Sequence, residues 1–277
     1  MTESENVVTD EKPSYGPDRD SGQDRPHPRS SRQDSATKCD AVLSSHEHTV
    51  EIRSATILKV LAYCIVVVIA LHLMVMVSWF GFGYDHLKGL VPMFSLDSEN
   101  NIPTFFSALQ IFIAAILLAV CAARYRLSQP RYFKHWVGLS AIFIYLAFDE
   151  SALLHEKTMF ISRDLFGASG LLYYSWVIPF GVIALIVLLT YSRFLLSLPR
   201  RTGVIFFLAG AVFVTGAIGM ELFEGQIQEA GGKRNFDYMA LVTVEEFLEI
   251  IGIYAFVYGL LGHLTAEGRP LKMSLVK

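Results

Sequence analysis

Residues 239–263 read MALVTVEEFLEIIGIYAFVYGLLGH, an apolar run that contains three glutamates and neither Lys nor Arg. About 20 predominantly apolar residues are enough for a helix to cross a bilayer, so this run is predicted to be a membrane-spanning helix. A carboxylate is costly to place in hydrocarbon, and ionisable residues in such helices are functional candidates by default. Glu245, Glu246 and Glu249 therefore indicate both the fold class and a functional site.

Two further apolar runs carry acidic clusters of the same kind, FDESALLHE at residues 148–156 and GMELFEG at residues 219–225. Together the three runs bring eight carboxylates into predicted spans that contain no Lys or Arg. Such carboxylates require cations nearby, either metal ions or shared protons. The acidic residues of these two runs are Asp149, Glu150, Glu156, Glu221 and Glu224, and His155 lies among them.

The overall composition is typical of a polytopic membrane protein. The 277 residues are 53% hydrophobic and 18% charged, with a mean hydropathy of +0.43, which is too apolar for an ordinary soluble domain. The net charge of -3 does not indicate nucleic acid as a partner. We predict an all-α membrane bundle with six transmembrane helices, over residues 55–80, 104–124, 135–156, 171–193, 203–225 and 239–263.

The first 52 residues have a different composition from the rest. They are rich in Ser, Asp, Glu, Arg and Pro and contain few large apolar residues, so we predict a disordered cytoplasmic tail. The transmembrane domain is predicted over residues 53–266, followed by a short cytoplasmic tail at 267–277. The cysteines, which show no CxxC spacing, indicate neither a disulfide framework nor a thiolate metal site. They are Cys39, Cys64 and Cys121.

The distribution of basic residues predicts the orientation of the bundle. Lys and Arg are concentrated in the N-terminal tail, after the second and fourth spans, and at the C-terminal end. The positive-inside rule then places both termini in the cytoplasm, in a multi-pass protein of the cell (inner) membrane. With this topology the acidic clusters of the third, fifth and sixth spans converge at one depth, toward the non-cytoplasmic side. His72 lies in the outer half of the first span.

The convergent carboxylates favour a metal centre. On each helix the acidic residues share a face or a narrow stripe, because they are three, four or seven positions apart. Ligands of this type on facing helices hold metal ions in bundle cores, and mainly oxygen donors with one or two imidazoles suit Fe, Mn or Zn. We expect Glu246 and Glu150 to act as catalytic acid–base groups. The expected ligands of the divalent ion are Asp149, His155, Glu156, Glu221, Glu224, Glu245, Glu249 and His72.

Structural interpretations of the same residues stay open. Glu156, Glu224 and Glu150 would then be hydrated residues at helix ends, and His72 would be a core histidine hydrogen-bonded to a neighbouring group. A buried polar network without catalysis would fix the helix register, although eight acids without basic partners would be a costly way to do so.

The runs FDESALLHE and VEEFLEIIG are similar to patterns in multi-spanning bacterial membrane proteins that are functionally uncharacterised. This resemblance covers the third to sixth spans and implies a polytopic fold, without implying an activity. Membrane hydrolases of the alkaline ceramidase type bind zinc through three histidines. The present sequence departs from them, because only His72 and His155 lie near the predicted site.

These observations lead us to expect a metal-dependent membrane enzyme that acts on a lipid or a small apolar substrate. A cation- or proton-coupled transporter would use the same acids as a relay, and a non-catalytic membrane subunit is a third alternative. A transporter also needs polar groups in the cytoplasmic half of the bundle. Few are found there, which favours the enzyme.

Overall fold

The computed structural model describes residues 49–51, 54–128, 130–167, 169–232, 235–266 and 272–274. The chain divides into two compact units. Residues 50–273 contain all the described helices, and of the other unit, residues 1–49 with 274–277, only Thr49 and Ser274 are described. Most of the predicted tails, residues 1–52 and 267–277, therefore lies outside the described residues.

In the described part of the chain, nine α-helices interrupted by short 3₁₀ and π segments form nearly all of the regular structure. The prediction of a helical fold is confirmed, apart from the paired strands β1 (Thr49–Glu51) and β2 (Lys272–Ser274). A π segment, Val77–Gly81, follows α1, and another, Thr215–Met220, joins α7 to α8. The helices are α1 (Ser54–Met76), α2 (Leu90–Phe94), α3 (Ile102–Ser128), α4 (Pro130–Ala152), α5 (Leu154–Phe166), α6 (Val177–Ser197), α7 (Arg200–Val214), α8 (Glu221–Gly231) and α9 (Phe236–Ala266).

Helix α9 forms the centre of the bundle and contacts α1, α3, α7 and α8. Its side chains Met239, Val257 and Leu260 are fully buried. Gly252 lets α9 approach α7 closely, since a Cβ at this position would lie 2.9 Å from the backbone nitrogen of Phe213 on α7. A helix that is apolar on most of its sides is expected to be enclosed by others, as α9 is.

The loop 95–101 between α2 and α3 is held in place by specific hydrogen bonds. Asn101 caps α3, because its Oδ1 accepts the backbone N–H of Thr104 at 3.1 Å. The side-chain amide of Asn101 also donates to the carbonyl of Ser95 at 2.6 Å. The backbone N–H of Leu96 donates to the ring of His72, which ties the loop to α1.

Among the described residues, four helical runs are long and apolar enough to cross a membrane: Ser54–Gly81, Ile102–Arg126, Val177–Ser197 and Arg200–Gly231. Residues Arg131–Ala152 and Leu154–Phe166 add a fifth if this bent pair forms one span. These helices suggest a membrane protein, and they account for four or five of the six predicted spans. The sixth predicted span lies within α9, which is not among these apolar runs.

The outer surface of these helices is covered by large apolar side chains. On α6, for example, Leu185, Ile186 and Leu189 are 54%, 56% and 65% exposed. Contiguous apolar surface of this kind is unfavourable in water and suits contact with lipid.

The third predicted span, residues 135–156, was expected to be one helix, and this is wrong. Helix α4 ends at Ala152, and α5 leaves it at an angle of 79°. Leu153 adopts a left-handed conformation with φ 53°, which interrupts the helical hydrogen bonding. His155 and Glu156 therefore lie on α5 and not on the helix that carries Asp149.

The fourth and fifth predicted spans also differ from the observed helices. The fourth was expected to begin at residue 171, but a 3₁₀ turn occupies Gly170–Leu172 and α6 begins at Val177. The fifth, residues 203–225, lies within a longer helical run, Arg200–Gly231, which includes a π segment.

Candidate functional site

Three of the predicted metal ligands form a compact group, which we call the carboxylate triad. One carboxylate oxygen from each of Glu221, Glu224 and Glu245 lies within 4.8 Å of the other two. Glu224 is 2% exposed, and the other two are partly buried. Two oxygens that bind one ion at about 2.1 Å are at most about 4.2 Å apart. The triad is therefore a small side-chain adjustment away from ligating one ion.

The triad is positioned by the junction of the π segment with α8. Glu221 and Glu224 lie in the first turn of α8, three positions apart, and so they share a face. Gly216, in the π segment, allows α9 to approach: a Cβ there would lie 2.9 Å from the carbonyl oxygen of Glu245. This close contact brings Glu245 next to the two glutamates of α8. Single π turns within helices are frequent at functional sites.

Further acids surround the triad. Glu249 on α9 is within electrostatic range of Glu221 and Glu224, and also of Glu150 on α4. Glu246 interacts in the same way with Glu150 and Glu249. The acids of α4, α8 and α9 are therefore within electrostatic range of one another. Like charges at short range repel strongly in a low dielectric, so this cluster requires bound cations or shared protons.

The carboxyl groups of Glu224 and Glu245 share a hydrogen bond. An ionised carboxylate only accepts hydrogen bonds, so a hydrogen bond between two carboxyl groups needs a proton on one of them. The pair is thus able to hold either a proton or, once deprotonated, a cation.

Asp149 and His155 pair with each other at the bend between α4 and α5. The backbone N–H of His155 donates to Asp149 Oδ1 at 2.9 Å, and its ring Nδ1 lies 2.8 Å from Oδ2. Asp149 therefore caps the first turn of α5. The His155 ring also packs against Trp176, with centroids 4.4 Å apart. Both residues thus hold the bend, and Glu156, which follows on α5, is not a member of the triad.

His72 is completely buried and has hydrogen bonds at both ring nitrogens. Its Nδ1 accepts the backbone N–H of Leu96 at 3.1 Å, and its Nε2 lies 2.9 Å from the hydroxyl of Thr243. That hydroxyl in turn donates to the carbonyl of Met239. This geometry matches the interpretation of His72 as a core histidine, since neither nitrogen faces the triad as a ligand.

Two acidic residues of the α2–α3 loop belong to the same region, although no sequence pattern identifies them. Glu99 is within electrostatic range of Glu150 and Glu246. Asp97 interacts in the same way with Tyr238. The predicted topology places this loop on the same side of the membrane as the acidic clusters. This placement is the one sequence signal that indicates Asp97 and Glu99. Acids in exposed loops are too common to be selected on that signal alone.

A pair of tyrosines lies beside the triad. The hydroxyls of Tyr174 and Tyr238 are 3.3 Å apart, and both side chains are buried. Gly225 gives α8 room for this pair, because a Cβ there would lie 3.2 Å from the Tyr174 ring. Burial raises the pKa of the Tyr174 phenol, with a smaller contribution from Glu221 and Glu224. Tyr174 therefore stays neutral and remains a hydrogen-bond donor near the acids.

The fold and the site define a class of protein in which several membrane-length helices surround a carboxylate cluster. Residues 42–264 match the profile of a family described as a domain of unknown function (DUF8692), and the chain belongs to this family. The match includes every candidate site residue and all the α-helices except the last two residues of α9. It agrees with the expected resemblance to an uncharacterised family. No curated protein and no solved structure shows a match.

Proposed function

We propose that this protein is a metal-dependent membrane enzyme centred on the carboxylate triad. The observation that carries the proposal is the convergence of Glu221, Glu224 and Glu245, whose oxygens lie within 4.8 Å of one another. Three carboxylates in a partly buried site repel one another, and a bound divalent cation would offset this repulsion. Glu249, one turn further along α9 and within electrostatic range of the triad, is the candidate for a fourth ligand.

The divalent ion would be Fe, Mn or Zn. His72 and His155 already make hydrogen bonds within the protein, so the donors nearest the triad are oxygens. Of these three metals, Mn is the one that carboxylate donors suit best. A bound ion would act as a Lewis acid toward a substrate oxygen or lower the pKa of water.

The remaining acids would bind and transfer protons. Glu246 and Glu150 lie on facing helices within electrostatic range of each other, next to Glu249. This placement suits general acid–base catalysis at a substrate held beside the triad. Asp149 and His155 would act indirectly, because their pairing holds the end of α4, where Glu150 is located.

The membrane arrangement that suits this site has six spans, with α4 and α5 as a bent third span and α9 as the sixth. Both termini would be cytoplasmic, in the cell (inner) membrane. The central position of α9 supports this arrangement, since surrounding helices shield its carboxylates from lipid. The triad would then lie toward the non-cytoplasmic side, where a lipid or a small apolar substrate enters from the outer leaflet.

Metal analysis of the full-length protein, purified in mild detergent, tests this proposal. We expect one or two divalent ions per chain. Glu245→Gln removes a ligand charge with little change in side-chain size, and we expect it to lose most of the bound metal. Asp164→Asn is the matched control: Asp164 is exposed on α5 and outside the acidic cluster, so its variant should retain the metal.

The contact between the carboxyl groups of Glu224 and Glu245 supports a second candidate function, a proton-coupled transporter, because two such groups are able to share a proton. A metal-free protein that drives flux in liposomes under a pH gradient would replace the enzyme with this transporter. Glu249→Gln should then alter the pH dependence of the flux. Absence of both metal and flux would contradict both functions and leave a non-catalytic membrane subunit with a structural polar network.

A further inference from the structure

A groove of about 700 Å³ lies between α3 and α4, toward the end of the bundle where these two helices are connected. Its floor is formed on α3 by small side chains, including the exposed Ala119 and Ala123. Val137 and Ile144 of α4 line the opposite wall. The groove is separate from the carboxylate triad, to which α3 and α4 contribute no residue.

The length of this groove corresponds to one membrane leaflet. Along α4 it extends from Phe133 to Ile144, which are 11 positions apart. At about 1.5 Å per residue this is roughly 16 Å, and half of a hydrocarbon core of about 30 Å is about 15 Å. Because the lining is almost entirely apolar, the groove matches a single acyl chain in both length and chemistry.

Basic residues lie at the end of the groove nearest the α3–α4 connection. Arg126 lines the groove and is exposed, and no ion pair with a carboxylate is found for it among the described residues. Arg131 and Lys134 follow in the next few positions. Basic groups at the mouth of an apolar groove between membrane helices are complementary to the phosphate of an anionic lipid.

We propose that this groove binds an anionic phospholipid from the leaflet adjacent to the α3–α4 connection. One acyl chain would lie against Ala119 and Ala123, and the phosphate would contact Arg126. This site does not depend on the proposed enzyme activity, because it shares no residue with the triad.

Native mass spectrometry of the full-length protein in mild detergent tests the site. The probes are phosphatidylglycerol and phosphatidylcholine with identical acyl chains. We expect phosphatidylglycerol to bind more tightly, and Arg126→Ala to weaken that binding about fivefold, as for the loss of one basic residue at a membrane surface. Arg193→Ala, an exposed basic residue on α6 outside the groove, is the matched control and should have no effect.

Ala123→Leu provides a second test that does not depend on charge. Ala123 is exposed, so a larger side chain fills the groove without entering the core, and we expect weaker phosphatidylglycerol binding with an unchanged melting temperature. Equal binding of the two lipids, unaffected by either variant, would overturn the proposal. The proposal would also be overturned if the protein retained no lipid and formed a dimer that the Ala123→Leu substitution dissociates. This result would identify the groove as an interface between two copies of the chain.

Discussion

Asp149 and Glu245 are both carboxylates within apolar sequence, yet their surroundings assign them different roles. Both oxygens of Asp149 contact His155 at the start of α5. Glu245 instead faces Glu221 and Glu224, which are also carboxyl groups. A carboxylate with hydrogen-bond donors stabilises the fold, whereas a group of carboxylates requires a cation or a proton. The identity of the neighbours, and not the residue type, separates the structural acid from the candidate ligand.

Replacing Asp149 by Ala should lower the free energy of unfolding by about 1–3 kcal/mol, because the helix cap and the imidazole lose their acceptor. The metal content should not change. Thermal denaturation of the detergent-solubilised protein, combined with metal analysis, measures both quantities. Asp149→Asn retains an acceptor for the backbone N–H and should have a smaller effect. Loss of metal with unchanged stability would show instead that Asp149 is a ligand.

At the scale of helices, the site depends on close contact between the π segment and α9. Gly216 permits this contact, and Gly252 permits the neighbouring contact of α9 with α7, because a Cβ at either position would lie about 3 Å from backbone atoms of the facing helix. The break at Leu153 is equally important, since it turns α5 away from α4 and leaves Asp149 and Glu150 at a helix end. Glycine contacts and a single left-handed residue thus determine where the acids meet.

Gly216→Ala should destabilise the protein by about 1–3 kcal/mol, because the added methyl group overlaps the carbonyl of Glu245 and displaces α9. The same displacement should separate the triad and reduce the bound metal. Gly210→Ala is the matched control on α7, where a Cβ meets no atom within 4 Å. It should be neutral or stabilising by up to about 1 kcal/mol, through higher helix propensity. Similar effects of the two substitutions would contradict the importance of this contact.

At the scale of the whole molecule, the direction in which the bundle crosses the membrane decides which compartment the triad faces. The basic residues at the adjoining ends of α3 and α4, and at those of α6 and α7, predict that these connections are cytoplasmic. Helix α5, the second part of the bent third span, would then lie toward the opposite side of the membrane. The triad would be on the same side as α5.

Cysteine labelling tests this orientation in a protein from which Cys39, Cys64 and Cys121 have been removed. A membrane-impermeant thiol reagent should label Asp164→Cys on α5 in intact cells, and should label Ser128→Cys at the end of α3 only after the membrane is opened. Both side chains are exposed, so the compartment decides their reactivity. The reverse pattern would place the triad on the cytoplasmic side. Ser162 is unsuitable for labelling, because it is only 5% exposed.

The sequence alone determined the features that depend on local chemistry. Apolar runs predict helices, because a long apolar segment in lipid must satisfy its backbone hydrogen bonds internally. Spacings of three and four residues place acids on a common helix face, which led to Glu221, Glu224 and Glu245. In the predicted topology, the end of the fifth span and the start of the sixth span, which carry these acids, lie at the same depth. Most of the N-terminal tail, which the sequence predicts to be disordered, lies outside the described residues.

The tertiary structure alone decided which groups each side chain contacts. His72 has Thr243 as a partner, 171 positions away in sequence, and such a distance carries no local signal. The break after α4 lies at Leu153, without Gly or Pro to announce it, so the separation of His155 from the helix of Asp149 was not predictable. Hydrogen bonds and charge interactions act over a few ångströms through space. The partners of these residues were therefore set by how the helices pack.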